Sequence, residues 1–348
     1  MFPAFRSITS TVSFSALLAG LLCLPMVTDG VGHPPREQAY SGITTEAGPI
    51  GVHVREMYQD PTNPDILFLG SSLIRAGVDG QTVEQALSAH LGRPAHVRML
   101  GLNWQGLDVQ YFLLRDYLKT HKAPLIVWNL PVPGARSVEP HVEAFRWLRY
   151  GEYSDALSGL PFRYRLAMYG DMVLGAPREL LSHVRPNLLS TREINLEIRT
   201  RKVGYYGSTF VPEPLDPATM PSLQQTYEHA PYDLVRPTGR PLDVYEQHFA
   251  DAIVALAREQ NTKIVFLHIP TDIEAGLNYM PERGNWPEFL HTNAPLIGVT
   301  SAALFGDMDK RTFLNYYSDQ HLNFNGSLLF THAVTPAILT AYDERETR

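Results

Sequence analysis

Apolar runs of strand length alternate with stretches whose apolar positions recur at helical spacing. Asp65-Ile-Leu-Phe-Leu69 is a short apolar run that ends in Gly70-Ser71-Ser72, and Val83, Ala86, Leu87 and Leu91 follow at helical intervals. A second run, His96-Val-Arg-Met-Leu100, ends at Gly101 and leads into an amphipathic stretch through Val109, Phe112, Leu113 and Tyr117. Pro124-Leu-Ile-Val-Trp128 is a third run. Late in the chain Tyr245, Phe249, Ala252, Ile253 and Leu256 mark a helix stripe before a fourth run, Lys263-Ile-Val-Phe-Leu267. Strand followed by helix, repeated, predicts an α/β fold: a parallel sheet buried between helices on both faces.

Three stretches break this pattern. Met1 to Arg6 carries one positive side chain, and Val12–Val27 is apolar apart from small residues and Pro25. A charged start, a short apolar run and a polar, Gly-rich continuation predict an export signal, or an uncleaved membrane anchor, over residues 1–30. The run is shorter than the ~20 residues that span a bilayer comfortably, and no Ala-x-Ala site follows it. A buried N-terminal helix is the competing reading. Residues 31–55 are polar and Pro/Gly-rich around His33–Gly51 and read as a linker. Residues 131–242 hold 13 of the 27 prolines and short aromatic–basic clusters such as Phe145-Arg-Trp-Leu-Arg-Tyr150, and read as an inserted subdomain or lid over the site. The folded domain is then 56–130 plus 243–348.

Composition narrows the function. The 348 residues are 44% hydrophobic, enough for a substantial core. A formal charge of −7 with no basic stripe argues against nucleic-acid binding. The single cysteine, Cys23, excludes an internal disulfide and a thiolate metal cluster. Leu22 precedes it where a lipoprotein signal requires a small residue. His53, His121 and His141 share no ligand spacing with carboxylates, so no metal is expected.

Three polar groups fall where open α/β sheets build their sites, beyond the carboxyl ends of strands. Gly70-Ser71-Ser72 exposes a hydroxyl at a strand-to-loop turn, although a plain helix cap would read the same way. Gly101-Leu-Asn-Trp-Gln-Gly106 follows the second strand. Its glycines permit close backbone approach, and Asn103 can donate to a developing negative charge or simply cap a helix. Ser318-Asp-Gln-His-Leu-Asn323 brings a carboxylate, Asp319, two residues from His321, so one ring nitrogen can be oriented while the other acts as a base. His268, at the end of the fourth run, faces the site or is a satisfied core histidine.

Taken together, a serine after the first strand and an Asp–His pair before the last helix resemble the SGNH/GDSL hydrolase superfamily. The Gly-Ser-Ser form and the His321-Leu-Asn323 continuation look most like its DltD-like and polysaccharide O-acetylation branches. The resemblance spans roughly Asp65–Trp128 and Asp243–Ala341. It implies a three-layer α/β/α sandwich with a parallel five-stranded flavodoxin-like sheet, and a Ser72–His321–Asp319 triad. Its implied oxyanion donors are the Ser72 backbone N–H, then Gly101 to Trp104 with the Asn103 side chain, then Asn129. It implies no cofactor and an extracytoplasmic location. The implied substrate is an acyl ester, on a carbohydrate in this branch, with a membrane-bound acyltransferase as partner. Two positions depart from the family pattern. One residue rather than two separates Asp319 from His321, and Trp128-Asn-Leu-Pro-Val-Pro133 stands where the family has Gly-x-Asn. These departures fit the competing class, a non-catalytic accessory protein binding envelope glycan or an acyltransferase.

Overall fold

The computed structural model describes residues 7–32, 36–41, 50–101, 103, 106–129, 156–184, 242–274, 290–305, 316–318 and 321–344. They belong to two compact units, one built from Met1–Thr44 and Val142–Arg192, the other from Thr45–His141 and Glu193–Arg348.

The second unit is the α/β domain. Its sheet comprises β1 (Ile66–Gly70), β2 (Val97–Gly101), β3 (Leu125–Trp128), β4 (Lys263–Leu267) and β5 (Leu296–Ile297), in the order β2-β1-β3-β4-β5. All pairings are parallel, with Ile66 opposite Val97 and Leu125, Leu125 opposite Lys263, and Phe266 opposite Leu296. This is the flavodoxin-like order, and it puts the ends of β1, β2 and β3 side by side at one edge. Every residue of β1, β2 and β3 is buried, which is why these strands read as apolar runs, Arg98 of β2 excepted.

Alternate side chains feed the two faces. Ile66, Phe68, Val97, Met99, Leu125, Val127, Val265 and Leu267 share one core with Val83 and Leu87 of α5 (Gly80–Leu91) and with Leu329, Phe330, Val334 and Ile338 of α10 (Phe324–Asp343). On the other face Trp128 packs on Phe266 and donates its ring N–H to Gln110 at 2.6 Å. Here Phe112 of α6 (Leu107–Leu118) meets Phe249 of α8 (Val244–Glu259). The layers are therefore helix, sheet, helix. Fully burying one such side chain stabilises by about 1.5–3 kcal/mol, so either layer alone is a major part of the fold's stability. Asp65 pins the entry to β1, accepting from Arg93 at 2.6 Å, the His96 N–H at 2.9 Å and the Tyr342 hydroxyl at 3.1 Å.

The expected linker over residues 31–55 is corrected. Arg36–Ser41 forms α2 and Ile50–Tyr58 forms α3. Ile50, His53, Val54 and Met57 are buried on one face of α3, and Arg98 of β2 reaches Asp60 just beyond it at 2.6 Å. Of the expected insertion, residues 156–184 are described. They include α7 (Phe162–Val184), in the unit that also contains α1 (Ile8–Val31). The aromatic–basic cluster around Trp147 lies outside the described residues. So does most of the segment expected to cover the site. The apolar N-terminal stretch is longer than Val12–Val27: Ile8–Thr28 gives 21 helical residues without a charged side chain, long enough to cross a membrane.

Candidate functional site

The serine turn sits at the carboxyl end of β1. Ser71 is the N-cap of α4 (Ser72–Gly77), and its hydroxyl accepts the Leu73 N–H at 3.3 Å. That occupies Ser71 in capping and starts the helix at Ser72. Gly70 and Gly101 stand opposite each other on β1 and β2. A Cβ on Gly101 would lie 3.0 Å from Ile74 Cγ2 and 3.3 Å from the Ser71 carbonyl oxygen, so a side chain there would push α4 off the sheet edge.

His321 arrives from the far end of the chain. It begins β7 (His321–Leu322), which pairs antiparallel with β6 (Tyr317–Ser318), Ser318 facing His321. Asn323 follows as the N-cap of α10, its side chain accepting the Gly326 N–H at 3.1 Å while its own N–H donates to the Tyr316 carbonyl at 2.8 Å. α10 is tied back to the serine side by Thr331, whose hydroxyl accepts the Asp79 N–H at 2.8 Å, just after α4.

These anchors place His321 Nε2 2.8 Å from Ser72 Oγ, across 249 residues of sequence. Ser72 is largely buried and His321 half-buried. A serine hydroxyl donating to Nε2 requires the ring proton on Nδ1, the tautomer a general-base histidine uses. Asp319, expected to hold that nitrogen, lies outside the described residues.

Two neighbours complete the edge. Arg75, three residues after Ser72 on α4, is buried and donates from Nη2 to the Asn103 side-chain oxygen. Only the carbonyl end of a carboxamide can accept from a guanidinium, so this contact fixes which way the Asn103 amide points and turns its NH2 end away from Arg75. His53, from α3, holds the Gly101 carbonyl at 2.9 Å through Nε2. Burial lowers the His53 pKa from 6.5 to about 4, overcoming the opposing hydrogen bond, and the Arg75 charge adds to the depression. His53 is therefore a neutral donor behind the β2 turn.

The other sequence candidates are used structurally. Asn129 donates its backbone N–H to the Leu69 carbonyl at 2.8 Å and its amide to the Leu267 carbonyl at 3.0 Å, tying β1, β3 and β4 together. His268 lies 2.8 Å from Glu274, whose other oxygen accepts from Thr271, so the core-histidine reading describes it. Arg75 and His53 were not legible as site residues. The signal for Arg75 was its position one helical turn after Ser72, and for His53 the spacing of Ile50, Val54 and Met57 around it.

The neutral state of His53 has a measurable consequence. The unfolded chain takes up a proton near pH 6.5 and the folded chain only near pH 4, so stability falls as pH drops through that window. The loss from this residue is roughly 3 kcal/mol in all, at about 1.4 kcal/mol per pH unit. Urea midpoints from pH 7 to 4 should therefore fall more steeply for the wild type than for His53→Gln, which keeps a donor for Gly101 without titrating. Parallel profiles would show that His53 is not the titrating group.

No known family model matches the chain, and no curated protein matches it significantly.

Proposed function

We propose that the protein is a serine-dependent acyl-ester hydrolase or O-acyltransferase of the SGNH type, acting outside the cytoplasm on O-acetyl groups of a polysaccharide. The observation that carries this reading is the 2.8 Å contact between Ser72 Oγ and His321 Nε2 at the carboxyl edge of a parallel sheet. A buried hydroxyl from the first turn of a helix paired to an imidazole from a short strand at such an edge is the arrangement an activated nucleophile requires. The glycan and acetyl assignments rest on the Gly70-Ser71-Ser72 and His321-Leu-Asn323 motifs. The location rests on the apolar helix α1.

In this reading Ser72 Oγ attacks the ester carbonyl carbon as its proton passes to His321 Nε2. The tetrahedral oxyanion is met by the Ser72 backbone N–H, which has no intrahelical acceptor in the first turn of α4, and by the NH2 of Asn103. Arg75 holds Asn103 in that orientation. As the oxyanion collapses, the alcohol leaves with the proton from His321 and the acyl group stays on Ser72. Water or a sugar hydroxyl then gives its proton to His321 and takes the acyl group, returning Ser72 to the free hydroxyl. Asp319 is assigned the Nδ1 proton of His321.

The test is reaction of the full chain with a fluorophosphonate, peptide mapping of the adduct, and turnover of a small acetyl ester. Covalent labelling at Ser72 together with ester turnover is expected. Asn103→Ala should keep the label site while slowing turnover on the order of 10²–10³-fold, as loss of one oxyanion donor does. A chain that neither labels nor turns over any ester, yet binds acetylated glycan, would be the accessory protein instead.

A further inference from the structure

The helix α7 carries two unlike faces. Met168, Val173 and Ala176 are buried, and the helix packs against α1, with the Tyr169 hydroxyl donating to the Leu22 carbonyl at 2.7 Å. Phe162, Leu166, Leu174 and Leu181, at intervals of four, eight and seven residues, form a stripe on another side. They are exposed by 69%, 56%, 62% and 54%, four large apolar side chains left open to solvent within a sector of one helix about 120° wide, which Arg163 shares.

The place where α7 meets α1 decides what covers that strip. Among the described side chains of α1, only Pro25 and Thr28 are buried, and Tyr169 bonds at Leu22. The cover is thus confined to the last turns of the apolar stretch Ile8–Thr28, the end remote from Arg6. Ile8, Val12, Leu17 and Leu18 are left exposed, as suits a segment in hydrocarbon. A stretch of 21 residues at 1.5 Å per residue reaches about 32 Å, so the Leu22–Thr28 end lies at the level of the headgroups when the helix spans. α7 itself carries Arg163, Arg165 and Asp171 and is no candidate to cross. Its exposed Phe162 is wholly apolar and suited to lipid, while Arg163, 4.7 Å over the Tyr164 ring, has an apolar stem and a charged tip that reaches water.

We infer that α1 is retained as a membrane anchor and that α7 lies along the lipid surface beside it, with Phe162, Leu166, Leu174 and Leu181 in the boundary between headgroups and acyl chains. Removal of α1 as a cleaved signal would break the Tyr169–Leu22 hydrogen bond and the packing of α7 on α1, so the packing favours retention. The occupant of the strip is the bilayer. This inference is independent of the acyl chemistry and stands or falls without it.

The test uses the full chain with Cys23→Ser as background. Single cysteines at Leu166, Leu174 and Leu181, all exposed, are labelled with an environment-sensitive fluorophore, with Lys119→Cys on the α/β domain as control. In vesicles of phosphatidylethanolamine and phosphatidylglycerol, the three α7 labels should shift to the blue relative to the control. They should also be quenched by lipids brominated near the headgroup end of the chain. Intact-mass measurement of the membrane-bound protein should retain residues 8–31. Water-like emission at all three positions would overturn the inference. Blue emission that brominated lipid leaves unquenched would also overturn it, because another segment or a second copy would then cover the strip. Loss of α1 from the mature protein would do the same.

Discussion

Ser72→Ala and His321→Ala should each abolish fluorophosphonate labelling and reduce ester turnover on the order of 10⁴–10⁶-fold, and the double variant should be no worse than either single one. Non-additivity is the informative part. Ser72 Oγ and His321 Nε2 are joined by one 2.8 Å hydrogen bond, so either change removes the same unit. Ser71→Ala belongs in the same experiment. Its hydroxyl caps α4 by accepting the Leu73 N–H at 3.3 Å, so its loss should cost about 1 kcal/mol of stability while the label stays on Ser72. Labelling that survives Ser72→Ala and vanishes in Ser71→Ala would reassign the nucleophile. In the proposed triad Asp319→Asn should leave a measurable remnant of activity, because a carboxylate in that role orients the imidazole without bonding to substrate. Wild-type activity in that variant would give the orienting role to another group.

The legible parts of this fold were those in which one physical rule acts without competition. β1 to β4 are almost wholly buried, so they surface in the sequence as apolar runs, broken only by Arg98 in β2 and begun by Lys263 in β4, each within a residue of its observed bounds. The serine turn and the histidine were legible because each follows or precedes such an element by a few residues. α3 was hidden because it begins at the end of the polar, Pro/Gly-rich stretch His33–Gly51 and has His53 among its inward residues. Ile50, Val54 and Met57 supply the rest of a helical stripe. α7 was hidden by proline density around it and by Pro177 within it. β5 is two residues long and carries no pattern of its own; it forms because β4 offers an open edge. The Arg75–Asn103 contact links residues 28 apart on different elements, and only the side-by-side placement of β1 and β2 brings them together.

Gly326→Ala should be the most damaging small substitution away from the reacting atoms. Gly326 lies in the first turn of α10 and gives its N–H to the Asn323 cap at 3.1 Å. A Cβ built there would run into the backbone carbonyl oxygen of Tyr316 and would lie 2.9 Å from Leu322 Cδ2. Backbone cannot swing aside as a side-chain tip can, and the same Tyr316 carbonyl accepts the Asn323 N–H at 2.8 Å. The segment from Tyr316 to Asn323 must therefore move as a body, and His321 moves with it. Overpacking of this kind costs about 1–3 kcal/mol, which a urea midpoint will register. The diagnostic readout is the ratio of two losses. A shift of 1 Å at His321 breaks the bond to Ser72 and can cost on the order of 10²-fold in turnover, so activity and probe labelling should fall at temperatures where the chain is still fully folded. A variant that loses stability but labels and turns over at the wild-type rate while folded would mean that the His321 hairpin is held by something other than its seat on α10. Thr331→Ala is the companion variant. It removes the 2.8 Å tie from α10 to Asp79 without adding volume, and should show the same uncoupling of activity from stability in milder form.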